Sequence, residues 1–124
     1  MAKVLIVDDS PDLRQLIQTL VGNAGHDTRV CENAAQARAE FARERPDLMV
    51  CDVDMPGETG VAMLIKLRLD DPDFRTPVVF VTAHPERAQT IRKTAPELIE
   101  VVGKPFRKDD LLGAVRRRLA AERP

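Results

Sequence analysis

Leu48-Met49-Val50-Cys51 is an unbroken apolar run that ends in Asp52, with Pro56-Gly57 close behind it. A strand with apolar residues at every position has no solvent face, so it belongs inside a sheet covered on both sides. The Pro-Gly pair then forces a turn. Asp52 is thereby carried to the end of a hydrophobic strand, where an ionised carboxylate is costly unless a partner uses it.

Other segments share this plan. Lys3-Val4-Leu5-Ile6-Val7 runs into Asp8-Asp9, Val78-Val79-Phe80-Val81 into Thr82-Ala83, and Leu98 to Val102 into Gly103-Lys104-Pro105-Phe106. Asp27 to Cys31 is mixed in polarity, as suits an edge strand. Helical patterns lie between the strands. Ser10-Pro11 reads as an N-cap with proline at the first helical position. Leu13, Leu16, Ile17, Leu20 and Val21 form its inward stripe, and Gly22 and Gly25 bracket its end.

Asn33 caps a second helix that runs to Arg45, where Pro46 stops it, with Ala34, Ala37 and Phe41 on one face. Thr59-Gly60 opens a third, with Val61, Leu64, Ile65 and Leu67 inward, and Asp70 to Thr76 is a loop. Pro85 to Thr94 is short and weakly amphipathic. Asp109-Asp110 begins a last helix with Leu111, Leu112, Val115 and Leu119 inward.

Five strands alternating with five helices predict an α/β fold: a doubly wound parallel sheet with helices on both faces. At 124 residues the expectation is one domain over residues 1–124. A net charge of -1 argues against a general nucleic-acid binder, and no apolar run approaches the roughly 18 residues of a membrane span. Cys31 and Cys51 lie within strands without metal-ligand spacing, as reduced buried thiols of a cytoplasmic protein do.

In such sheets, sites form beyond the carboxyl ends of the strands. Asp8, Asp9, Asp52, Thr82 and Lys104 all fall there. Like-charged carboxylates about 4 Å apart repel by about 4 kcal/mol at an effective dielectric of about 20. A cation relieves this, and a few hard oxygens with room for water and phosphate suit Mg²⁺. Asp52 then reads as a nucleophile toward phosphorus, Lys104 as a fixed positive charge and Thr82 as a hydroxyl donor.

In these four elements the sequence resembles the response-regulator receiver domain of two-component signalling over essentially its whole length. They are Asp8-Asp9, Asp52 with Met55-Pro56-Gly57, Thr82-Ala83 and Lys104-Pro105-Phe106. The resemblance implies a flavodoxin-like fold with strand order 2-1-3-4-5. It implies that Asp52 accepts a phosphoryl group from a sensor histidine kinase, becoming 4-aspartylphosphate. Asp9, Asp52 and the backbone carbonyl of Asp54 would hold Mg²⁺, with Asp8 acting through water. Lys104 would pair with the phosphoryl group, the Lys104-Pro105 peptide would be cis, and Thr82 would shift toward the phosphate.

A downstream protein would then dock on the face of helix four, strand five and helix five, with scope for a weak or phosphorylation-dependent dimer. No turnover of an external substrate, direct nucleic-acid contact or membrane contact is implied. Three features depart from the family. Val101 stands where an aromatic switch residue is usual. Thr94-Ala95-Pro96-Glu97 replaces the common Gly-Ala. Asp54 and His84 occupy the positions that tune dephosphorylation.

With only Ala120 to Pro124 after the last helix, the expectation is a stand-alone receiver without an output domain. A receiver cut from a longer regulator or hybrid kinase would read identically. Two other functions are weighed. Asp52-Val53-Asp54 matches the D-x-D of aspartate-nucleophile phosphatases, but on the third strand and without room for a cap. A flavodoxin-like cofactor site would need a phosphate loop where Asp8-Asp9-Ser10-Pro11-Asp12 stands. Outside the site, His26 and His84 read as solvated, Met49, Met55 and Met63 as packing residues, and Arg116 to Arg118 as complements to the helix C-terminal dipole.

Overall fold

The structure is a computed structural model that describes residues 2–121. The strands are β1 (Lys3–Val7), β2 (Asp27–Cys31), β3 (Leu48–Asp52), β4 (Val78–Thr82) and β5 (Ile99–Gly103). Between and after them come α1 (Pro11–Asn23), α2 (Ala34–Arg43), α3 (Gly60–Asp70), α4 (Ala88–Arg92) and α5 (Lys108–Ala121). All strand pairs are parallel, in the order β2-β1-β3-β4-β5.

Alternation along each inner strand divides the core in two. Leu5, Val7, Met49, Cys51, Val78 and Phe80 face one side, where Phe41 of α2, Met63, Leu64 and Leu67 of α3 and Ile91 of α4 cover them. Val4, Ile6, Leu48, Val50, Val79 and Val81 face the other, under Ile17 and Val21 of α1 and Leu111, Ala114 and Val115 of α5. Every residue of β3 and β4 is buried, which is why those runs contain no solvent-facing polar position before Asp52 and Thr82.

Side-chain caps fix three helix starts. Leu13 N–H donates to Ser10 Oγ at 3.4 Å, Gln36 N–H to Asn33 Oδ1 at 2.8 Å and Ala62 N–H to Thr59 Oγ1 at 3.1 Å. Each such cap contributes about 1 kcal/mol.

Several boundaries differ from the sequence reading. α2 ends at Arg43, two residues before the expected Arg45, because Glu44 is already extended at φ -153°, ψ 110° ahead of Pro46. The expected helix from Pro85 to Thr94 is a 3-10 turn at Pro85–Arg87 followed by only five α-helical residues. No side chain caps either start, and Ile91 alone anchors α4 in the core. β5 is shifted one residue later than expected, and α5 begins one residue earlier, at Lys108.

Leu16 and Ile65, expected to face inward, are 47% and 45% exposed, since each lies on the flank of its stripe beyond the reach of the sheet. Arg117 and Arg118 do more than complement a helix end. Arg117 pairs with Glu100 of β5, and Arg118 Nε lies 3.4 Å from the other oxygen of that carboxylate. His26 also departs from the solvated reading: it is half-buried, and Ala2 N–H donates to its Nδ1 at 3.3 Å. Both cysteines are buried and free. Among the described residues, no helix is long and apolar enough to cross a membrane.

Candidate functional site

The strand order reverses between β1 and β3, and the acidic residues gather at that crevice. β1 and β3 lie side by side with Val7 opposite Cys51, so Asp8 and Asp52 follow at the same level. Carboxylate oxygens of Asp8, Asp9 and Asp52 all lie within 4.8 Å of one another. Asp8 and Asp52 are buried, at 0% and 3% exposure, while Asp9 faces solvent.

Asp52 is held from two sides. Asp54 N–H donates to Oδ1 at 3.1 Å, and Lys104 Nζ lies 3.2 Å from the same oxygen. Lys104 arrives because β5 pairs with β4 up to Thr82–Gly103, and Lys104 N–H donates to the Thr82 carbonyl at 2.7 Å. The Lys104-Pro105 peptide is cis, as the resemblance implied. Thr82 Oγ1 donates to Asp54 Oδ2 at 3.3 Å and accepts from His84 N–H at 2.9 Å.

Burial pushes the Asp52 carboxyl above its ordinary 3.8; the Asp54 amide and Lys104 oppose this only in part. Asp8 is likewise raised, first by burial and then by the charge of Asp52, against the stabilising Ser10 amide. Ser10 N–H donates to Asp8 Oδ1 at 2.8 Å, but Asp8 Oδ2 is buried with no hydrogen-bond partner. An acceptor oxygen without a donor, on a residue clustered with two further carboxylates, fits a hard cation. The three carboxylates could therefore hold a metal ion.

All six residues singled out from the sequence, Asp8, Asp9, Asp52, Asp54, Thr82 and Lys104, converge on this crevice. Two contributors were not among them. Arg14 Nη1 donates to the Asp8 carbonyl at 2.8 Å, bracing the turn that presents both acidic residues. The signal was faint: an arginine one turn into a capped helix whose neighbour Leu13 points inward. Gly60 is the second. A Cβ there would stand 2.5 Å from the Asp52 carbonyl oxygen and 3.0 Å from Cys51 Sγ, so only glycine lets α3 start against the end of β3. Thr59-Gly60 was legible as a helix start, but not as a close approach.

The response regulator receiver domain matches residues 4–116. The chain belongs to that family. This receiver domain is 31% identical over 117 residues to the sporulation initiation phosphotransferase F of Bacillus subtilis, covering 94% of the chain and 93% of that protein. It is 35% identical over 124 residues to the C4-dicarboxylate transport transcriptional regulatory protein DctD of Pseudomonas aeruginosa, covering 98% of the chain but 26% of that protein.

Among solved structures, the receiver domain superposes on the chemotaxis protein CheY4 of Vibrio cholerae with a TM-score of 0.84 at 30% identity, covering 94% and 98% of the two chains. It superposes on the receiver domain of the Francisella response regulator 1452 with a TM-score of 0.87 at 27% identity, covering 99% and 100%. The chain spans a quarter to a half of the length of the first curated relatives it matches.

A receiver domain is a signalling module of two-component systems, which sets aside the phosphatase and flavin readings. Receiver domains interact with histidine kinases and with downstream effectors.

Proposed function

We propose that Asp52 is the phosphoacceptor of this receiver domain, taking its phosphoryl group from the phosphohistidine of a sensor histidine kinase. The observation that carries this reading is the buried Asp52 carboxylate gripped by Lys104 beside Asp8 and Asp9. An Asp52 carboxylate oxygen forms a bond to phosphorus while the phosphorus–nitrogen bond to the donor imidazole breaks. The electron pair leaves on that nitrogen, which takes up a proton.

Asp52 must be ionised to attack, and its raised pKa makes the neighbouring positive charge of Lys104 important. Two donors on Oδ1 hold the carboxylate in one orientation, which lowers the entropic part of the barrier. Mg²⁺, when bound, would neutralise the carboxylates and the incoming phosphoryl oxygens. Asp9, Asp52 and the backbone carbonyl of Asp54 would hold it, with Asp8 acting through water. Lys104 and the Thr82 hydroxyl would meet the phosphoryl oxygens once transfer is complete.

Output is assigned to the face formed by α4, β5 and α5, because Thr82 opens the segment leading to α4 and Lys104 directly follows β5. A protein partner docks there, and a weak or phosphorylation-dependent dimer would use the same face. The buried free thiols support a cytoplasmic setting.

The test is incubation with acetyl phosphate and Mg²⁺ followed by prompt intact-mass measurement. The wild type gains one phosphoryl group and Asp52→Ala gains none. An unchanged wild-type mass would overturn the assignment.

A further inference from the structure

Between Thr82 and the 3-10 turn there are only two residues, Ala83 and His84. That short segment is tied at both ends to Gly103, the last residue of β5, and to Lys104 after it. At its start, the Thr82 carbonyl accepts from Lys104 N–H at 2.7 Å. At its end, Pro85 closes over Gly103: a Cβ on Gly103 would stand 3.0 Å from Pro85 Cβ and 3.2 Å from Pro85 Cγ. Contacts that short are tighter than carbon atoms at van der Waals separation accept. Any side chain at 103 therefore displaces the ring. Gly103 is neither in a turn nor at positive φ, so its small size serves this approach and not a backbone requirement.

We infer that Gly103 is a positioning residue: the seat it gives Pro85 holds the His84 amide where it orients the Thr82 hydroxyl. The path is short. The Thr82 backbone is held by its pairing with Gly103 in the sheet, which leaves the side chain as the part that turns. Its hydroxyl rotor is set by two partners, the His84 N–H at 2.9 Å and Asp54 Oδ2 at 3.3 Å. His84 is directly bonded to Pro85, so lifting the ring draws that amide away and frees the rotor.

The same seat bears on readout. Val101, two residues before Gly103, is a half-buried aliphatic side chain packed against the core layer that includes Phe80 and Ile91, with no ring to swing. The Pro85–Gly103 contact is then a second direct link between the Thr82 segment and β5, beside the backbone hydrogen bond. The inference rests on the reading of Asp52 as acceptor and of Thr82 as a donor to its phosphoryl group.

The experiment uses Gly103→Val, Pro85→Gly and the double variant. Valine suits a strand, so the fold is expected to persist, with melting temperature as the check. In metal-free protein, the amide NMR signals of Thr82 and His84 shift in Gly103→Val, while those of Asp8 and Asp9 stay in place. Mg²⁺ affinity, read by titration, stays within about twofold of wild type, since none of the cation's oxygen donors moves.

Phosphorylation by acetyl phosphate slows by roughly three- to tenfold in Gly103→Val, the scale of a sub-ångström misplacement. In the Pro85→Gly background, where no ring remains to be displaced, the same valine costs less than about twofold further. Unshifted Thr82 and His84 signals would overturn the inference, as would an equal loss in both backgrounds. Wild type that takes no phosphoryl group counts against the acceptor assignment, and the metal-free signals still decide the seat. If Gly103→Val does not fold, Gly103→Ala with its smaller clash is read by the same signals.

Discussion

Lys104 Nζ lies 3.2 Å from Asp52 Oδ1, and the two side chains are 25% and 3% exposed. The cation is reachable from solvent while the anion is not, so the pair has a wet end and a dry end. Its energetic weight falls on Asp52, whose ionised form has given up hydration that only Lys104, the Asp54 amide and a bound cation replace.

Removing the wet end should therefore be felt at the dry one. In Lys104→Met, Asp52 loses its nearest positive charge and its carboxyl titrates at a higher pH than in wild type, followed by carboxyl-carbon NMR. The variant is expected to be destabilised at neutral pH by about 1–3 kcal/mol in denaturant titration. An Asp52 titration midpoint at or below that of wild type would contradict the geometry.

Asp8 behaves in the opposite sense. Its Oδ2 is buried without a donor, and it shares the crevice with two other carboxylates. In metal-free buffer at pH 7, Asp8→Asn removes one of these charges and is expected to stabilise the protein by about 1 kcal/mol. It should also reduce the stabilisation that Mg²⁺ confers on wild type. Added Mg²⁺ at ten times its dissociation constant stabilises wild type by about 1.4 kcal/mol, a rise of several degrees in Tm. Equal Mg²⁺ responses in the two proteins would argue against a role for Asp8 in the site.

The pH dependence follows from the raised carboxyls. A group whose pKa is higher folded than unfolded holds its proton more tightly in the native state. Stability from Asp8 and Asp52 is thus fully present below about pH 4 and is lost as pH rises through their elevated folded values. Glu40 and Glu58, held below their ordinary value first by Arg43 and Arg38 respectively, contribute with the opposite slope. Comparing wild type with Asp8→Asn removes that background. In chelator, the advantage of the asparagine variant is expected to be small near pH 4 and to grow toward pH 7; a constant gap would show that Asp8 is not perturbed.

Gly60→Ala tests the approach of α3 to β3. The added methyl meets a backbone oxygen of the central sheet, which cannot rotate away as a side chain would. A loss of about 1–3 kcal/mol is expected in denaturant midpoint, and Mg²⁺ affinity should weaken because the displaced helix carries the Asp54 segment with it. A variant as stable as wild type would mean that the start of α3 shifts without cost.

What was legible in the sequence and what was not divide along physical lines. Asp8, Asp9, Asp52, Thr82 and Lys104 stood out because a polar residue after an apolar strand is a local contrast, visible without coordinates. The strands were equally plain, since burial on both faces leaves β3 and β4 no polar position. Helix stripes carry less information. Leu16 and Ile65 satisfy the helical period, yet how wide a stripe the sheet covers is a tertiary matter. The five-residue length of α4 depends on Ile91 alone being able to reach the core. Gly60 and Gly103 look like any glycine in sequence, and only the atoms facing them reveal a requirement for space.

The parallel pairing of β1 with its two neighbours places Cys31 and Cys51 on either side of Val7, one on an edge strand and one in the middle of the sheet. Cys51 donates to the Asp52 carbonyl at 3.3 Å, and burial pushes its thiol well above the ordinary range, leaving it protonated and unreactive. The chain thus carries two built-in clocks. Reaction of Cys31 with a thiol reagent times the fraying of an edge, whereas reaction of Cys51 waits for the strand that bears Asp52 to come apart.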